Sequence, residues 1–122
     1  MELEDLRRIL ALLADYGRTL DGGLWEEHLG LYADECRLDV FGREHVGKEE
    51  IRRFMQKAPR GKHLTGVPRI VLEGASARAF SDFLFFGANL QLASAGGYAD
   101  ELARVNGEWL FVVRKIRIDL RA

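Results

Sequence analysis

Helical periodicity gives way to strand-like alternation along this chain, which predicts an α+β fold: N-terminal helices packed on one face of a curved, mainly antiparallel sheet. Residues 3–20 repeat apolar side chains at helical spacing, and from His63 onward short β-like runs separated by turn residues take over. Asn106-Gly107 between two alternating runs is the clearest hairpin signal. With 122 residues and no internal repeat, low-complexity tract or linker, the sequence predicts a single domain, 1–122. That length suffices to bury about two-thirds of the unfolded surface.

The first helix rests on Leu6, Ile9, Leu10, Leu13 and Leu20, with Tyr16 and Gly17 in register. Gly22 and Gly23 supply the permissive backbone at which a helix stops. A second helix is expected over Leu24 to Tyr32, where Trp25, Leu29 and Tyr32 share a face. Cys36 to Phe41 alternates like a short strand, Gly42 to Gly47 reads as a loop holding His45, and Lys48 to Lys57 as a third helix ending before Pro59. Short strands follow at His63 to Val67 and Ile70 to Glu73, interrupted at Pro68, then a long one from Ser76 to Phe86. Another begins near Asn89 or Tyr98, with Gly96-Gly97 as a turn; the final hairpin joins Tyr98–Val105 to Glu108–Asp119.

Composition narrows the function classes. A net charge of −1 supplies no field to draw the chain to nucleic acid or an anionic membrane. The single cysteine, Cys36, excludes an intrachain disulfide and a cysteine cluster for zinc. Three scattered histidines give no convergent metal spacing, so no metal is expected. The start, MELEDLRR, lacks an apolar signal core, which fits a cytoplasmic protein.

Asp21 is the residue that asks for an explanation. A helix C-terminus carries partial negative charge and disfavours a carboxylate by a few tenths to about 1 kcal/mol. Asp21 either caps the following helix or has a basic partner elsewhere, for which His63 is the candidate. A histidine takes up a proton near neutral pH, and an aspartate on its other ring nitrogen fixes its tautomer and stabilises the imidazolium. The same pair also reads as a structural tie between helix and sheet. His28, among Glu26 and Glu27, and His45, in a Gly-flanked loop, are expected in solvent. Tyr16, Trp25, Phe54, Phe83, Phe85 and Tyr98 are core or pocket wall. Asp82 and Asp100 interrupt strand patterns and face either a pocket, solvent or a partner copy.

The segments ADYGRTLDGGLW, LYADECRLDVFG, GKEEIRRFM, KHLTGVPRI and YADELARVNGEWLFVVRKI, in this order and spacing, resemble the SnoaL-like group of the nuclear transport factor 2-like superfamily, from about Leu3 to Ile118. The resemblance implies a cone-shaped α+β barrel, a homodimer, and a deep pocket under the N-terminal helices. Among enzymes of that group the chain looks most like scytalone dehydratase and the hexachlorocyclohexane dehydrochlorinase type, in which an aspartate ending the first helix orients a general-base histidine. Asp21 and His63 fall at those places. Two departures stand out: no histidine follows His63, and Val40 sits about where scytalone dehydratase has a tyrosine. Tyr16 occupies the place of one dehydrochlorinase cation, with Arg114 or Lys115 as another. The resemblance thus implies a cofactor-independent lyase, dehydratase or isomerase acting on a small apolar ring or polyketide-like molecule. Its catalytic residues would be Asp21 and His63, and its pocket residues Tyr16, Trp25, Val40, Phe54, Phe83, Phe85, Tyr98 and Arg114. The alternative is a non-catalytic ligand-binding or dimerising module of the same fold.

Overall fold

The computed structural model describes residues 2–122. Its elements run α1 (Glu2–Asp21), α2 (Trp25–Leu29), β1 (Tyr32–Val40), β2 (Arg43–Val46), α3 (Gly47–Lys57), β3 (Gly61–Thr65), β4 (Arg69–Glu73), β5 (Ser76–Gly87), β6 (Leu92–Val105) and β7 (Glu108–Arg121). The strands form one seven-stranded sheet in the order β2-β1-β7-β6-β5-β3, with β4 also paired to β5. All pairings are antiparallel except β1 with β7. The sheet curves around the helices without closing, which gives the expected α+β architecture and leaves a hollow between sheet and helices. No helix among the described residues is long and apolar enough to cross a membrane.

Helix α1 buries Ile9, Leu12, Leu13, Tyr16 and Thr19 against the sheet. Leu10, expected on that face, is 48% exposed, because Leu12 takes the inward position. The helix ends as its glycines dictate: Gly23, at φ +67°, allows its N–H to donate to Leu20 O and the N–H of Leu24 to donate to Thr19 O, which satisfies the last carbonyls. Asn106 and Gly107, at φ +51° and +82°, make the anticipated two-residue hairpin turn.

Several segments differ from the sequence reading. α2 is a single short helix, and Tyr32 already begins β1. Arg43 to Val46, read as a loop, pairs with β1 as a strand, so His45 joins His63 in being on a strand. Gly96 and Gly97 are not a turn but lie within β6. They are glycine for space: a Cβ on Gly96 would meet the Arg117 carbonyl oxygen at 1.8 Å and the Phe83 ring at 3.0 Å. Gly96 therefore lets Phe83 lie flat across β6, where it stacks on Tyr98 at 4.7 Å.

Candidate functional site

Asp21 does not cap α2, which begins after Leu24 without any side-chain cap. Its carboxylate accepts two hydrogen bonds from one residue instead. Oδ1 receives His63 Nδ1–H at 2.6 Å and Oδ2 receives the His63 backbone N–H at 2.8 Å. A carboxylate only accepts, so Nδ1 carries the proton and Nε2 is the ring's uncommitted nitrogen. Hydrogen bonds to an ionised group are worth about 1.5–3 kcal/mol, enough to offset the helix terminus that opposes the charge. The pair is shielded but reachable: the Asp21 side chain is 8% exposed and that of His63 17%.

His63 lies on β3 opposite Phe85 of β5, and its ring sits 4.6 Å from the Phe85 ring. Both face a cavity of about 270 Å³ in the hollow between sheet and helices. That volume is near the lower end of the roughly 300–1,000 Å³ typical of small-molecule sites. Tyr16, Leu20 and Asp21 of α1, together with Trp25, form one wall; Phe54 and Met55 of α3 and Val40 of β1 form another. Phe83, Phe85, Tyr98, Ile116 and Ile118 make the sheet side, and Phe41, Arg60 and Arg121 also line the cavity. Burial pushes the pKa of the Tyr16 and Tyr98 hydroxyls above the ordinary tyrosine value, so both remain protonated donors.

Arg114, expected at the pocket wall, is buried behind it. Its Nε and Nη2 donate to the two oxygens of Asp100 at 2.7 and 3.0 Å, and neither side chain is more than 1% exposed. The guanidinium lies 3.6 Å from the Tyr98 ring centre and 4.1 Å from that of Tyr16. It supports the tyrosines from the far side of the cavity. Burial works against its charge, but Asp100 overrides this and holds its pKa above the usual arginine value. Asp82, by contrast, points to solvent.

The other histidines are also buried rather than solvated. His28 is fully enclosed, and burial pulls its pKa down to about 4. Thr19 Oγ1–H donates to the Asp15 carbonyl at 2.7 Å, so Thr19 accepts from His28 Nδ1–H at 2.8 Å. His28 Nε2 then accepts from the Tyr32 hydroxyl at 3.0 Å. A neutral histidine thus ties α1, α2 and β1 together. His45 packs on Phe54 with ring centres 4.4 Å apart, and burial likewise lowers its pKa.

Sequence reasoning missed Arg60 and Arg121. Arg60 had no visible signal, because it belongs to a connection and reaches the site only by donating from Nη2 to the Asp21 carbonyl at 3.0 Å. Ile116 and Ile118 were legible as alternate residues of one strand. Arg121 breaks that alternation, for a reason that only the register reveals.

Among solved structures, the chain superposes on a protein of unknown function with a cystatin-like fold from Nostoc punctiforme (26% identity, TM-score 0.88, 98% of this chain and 93% of that one). A protein assigned as a scytalone dehydratase from Novosphingobium aromaticivorans shares 21% identity at TM-score 0.85, over 99% of this chain and 88% of that one. The hexachlorocyclohexane dehydrochlorinase LinA-type3 from Novosphingobium barchaimii shares 18% at TM-score 0.88, over 99% and 90%. No curated protein sequence matches. The family profile of the SnoaL-like domain matches residues 1–115, and the chain belongs to that family.

Proposed function

We propose that this chain is a cofactor-independent lyase-type enzyme, a dehydratase or isomerase, that removes a proton from carbon in a small, largely apolar ring or polyketide-like substrate. The observation that carries the reading is the Asp21–His63 pair at the wall of an apolar cavity, with Nδ1–H committed to Asp21 and Nε2 uncommitted. In this mechanism His63 Nε2 takes the proton as the C–H bond breaks. The released electron pair forms a C=C bond and expels a leaving group from the adjacent carbon, or delocalises and is reprotonated elsewhere. Asp21 stabilises the imidazolium, and the proton leaves with the departing group or to water. Tyr16 and Tyr98 also line the cavity, and their hydroxyls stay protonated. The family membership and the fold shared with a scytalone dehydratase and a dehydrochlorinase support this class of reaction.

The test is proton exchange. Apolar ring ketones and halides incubated with the enzyme in D2O should incorporate deuterium or eliminate, as followed by NMR. His63→Ala should abolish the signal while retaining the fold; an unchanged rate would remove the mechanism.

We further propose that the chain works as a homodimer joined through the outer face of its sheet. Leu64, Leu84, Ala95 and Leu120 lie in register across β3, β5, β6 and β7, and the three leucines are exposed. Such a row needs a cover. Sedimentation should give a dimer that Leu84→Glu converts to monomer; a monomeric wild type would refute it.

A further inference from the structure

Two backbone irregularities converge on the cavity, which Arg60 also lines. Strand β7 faces the cavity with Ile116 and Ile118, so alternation would send Leu120 inward next and Arg121 outward. The register shows the reverse. Gly96 pairs with Ile118 but Ala95 pairs with Leu120 and Ser94 with Arg121, so β7 carries one extra residue, a bulge at Asp119. The bulge flips the parity: Leu120 is 70% exposed and Arg121 lines the cavity. Bulges that re-aim a side chain gather at functional sites. In the facing turn, Phe41 adopts φ +54°, a conformation a bulky residue rarely takes. It also lines the cavity, and the Arg121 guanidinium lies 6.0 Å from its ring centre.

The charges here are unbalanced. Among the described residues, neither Arg60 nor Arg121 forms an ion pair with a carboxylate; the nearby Asp119 is taken by Arg117 in a two-point contact. Arg60 spends one N–H on the Asp21 carbonyl, and its guanidinium rests against Gly23, where a Cβ would come within 3.1 Å. Among the described residues, the only acid lining the cavity is Asp21, and both of its oxygens are held by His63. The cavity is therefore apolar on the sheet side, with two guanidiniums that have donors to spare and that no carboxylate of the described residues engages.

We propose that the natural ligand is a small organic carboxylate, whose apolar body fills the cavity against Phe83, Phe85 and Tyr98 and whose carboxylate is held by Arg60 and Arg121. The forked guanidinium suits a carboxylate. This deepens the proposed function by naming the substrate class, and it rests on that reading only in taking this cavity as the substrate site.

Binding tests it independently of turnover. 4-Phenylbutanoate and its neutral amide would be titrated against the protein by calorimetry, with Trp25 fluorescence as a second readout. The acid should bind about tenfold or more tightly than the amide, and added salt should weaken the acid alone. The preference should fall in Arg121→Gln and vanish in the Arg60→Gln/Arg121→Gln double variant. Arg60→Lys should retain part of it, and Arg7→Gln, an exposed substitution near the start of α1, all of it. Because the readout is binding and not proton exchange, loss of the general-base mechanism and loss of the carboxylate handle are separate outcomes. Equal affinity for acid and amide, binding of neither at millimolar concentration, or an undiminished preference in the folded double variant would overturn the proposal.

Discussion

Asp21 and Asp100 each accept two hydrogen bonds from a single basic residue, yet the two pairs differ in what they leave over. Asp100 meets Arg114 inside the core, where a permanently charged guanidinium is held on one side by the carboxylate and on the other by the Tyr16 and Tyr98 rings. Asp21 meets His63 at a cavity wall, fixing one ring nitrogen and leaving the other uncommitted. The lesson is that a buried ion pair serves packing when its basic partner cannot exchange a proton. A carboxylate–histidine pair is suited to chemistry, because its basic partner can exchange a proton and here faces a space that a substrate can enter.

Breaking the core pair gives the largest expected effect. Asp100→Ala strands a buried guanidinium and should cost about 3–5 kcal/mol of stability, read as a drop in the denaturation midpoint. Replacing both partners, as in Asp100→Leu/Arg114→Met, should restore much of that loss. A double variant no more stable than the single would mean that Arg114 supports the tyrosines in a way packing cannot replace. The same operation on the other pair should spare the fold and strike turnover: Asp21→Asn is expected to lower the rate by about 10²–10⁴-fold. A large stability loss with unchanged turnover would reduce Asp21–His63 to a structural tie.

His28 sharpens the contrast through pH. Its folded pKa lies near 4, against 6.5 for the free side chain, so the unfolded chain binds the extra proton between these values. Stability from this group is full above about pH 6.5 and declines as pH falls toward 4, by up to about 3 kcal/mol. His28→Gln should flatten that acid limb in urea melts recorded from pH 7 to 4; an unaltered slope would show that the histidine is not held neutral. The smallest effect concerns the strained turn. Phe41→Asn relieves a left-handed conformation and should stabilise by about 1 kcal/mol, while weakening ligand binding if the ring is part of the site.

The order of helices and strands was readable from periodicity and turn residues, because α1, α3, β5 and the Asn106-Gly107 hairpin each obey local rules. Asp21 was readable because it violates one: a carboxylate at a helix C-terminus needs a partner. What local rules cannot supply is which face another element will cover. His28 sits between polar neighbours and looks solvated, yet Thr19 and Tyr32 close over it from α1 and β1. The resemblance to the dehydrochlorinase type made Arg114 a candidate pocket cation, and nothing nearby in sequence announces Asp100, its partner across the β6–β7 ladder. Gly96-Gly97 looked like a turn because glycine signals both bends and close contacts; here the contact is with Arg117 and Phe83. Arg121 was hidden by a bulge that shifts side-chain parity by one residue, which a pattern of alternating residues cannot disclose.

The central claim is that Asp21 holds His63 with Nδ1 protonated and Nε2 available to the cavity. It is tested most directly by ¹⁵N-resolved NMR of the histidine rings, wild type against Asp21→Asn. The account predicts a His63 Nδ1–H proton, shifted downfield by its short bond to the carboxylate, that is lost or moved in the variant. It also predicts an Nε2 signal that responds when an apolar ring ligand is added. A His63 ring protonated on Nε2 in the wild type, or a spectrum indifferent to Asp21→Asn, would contradict it.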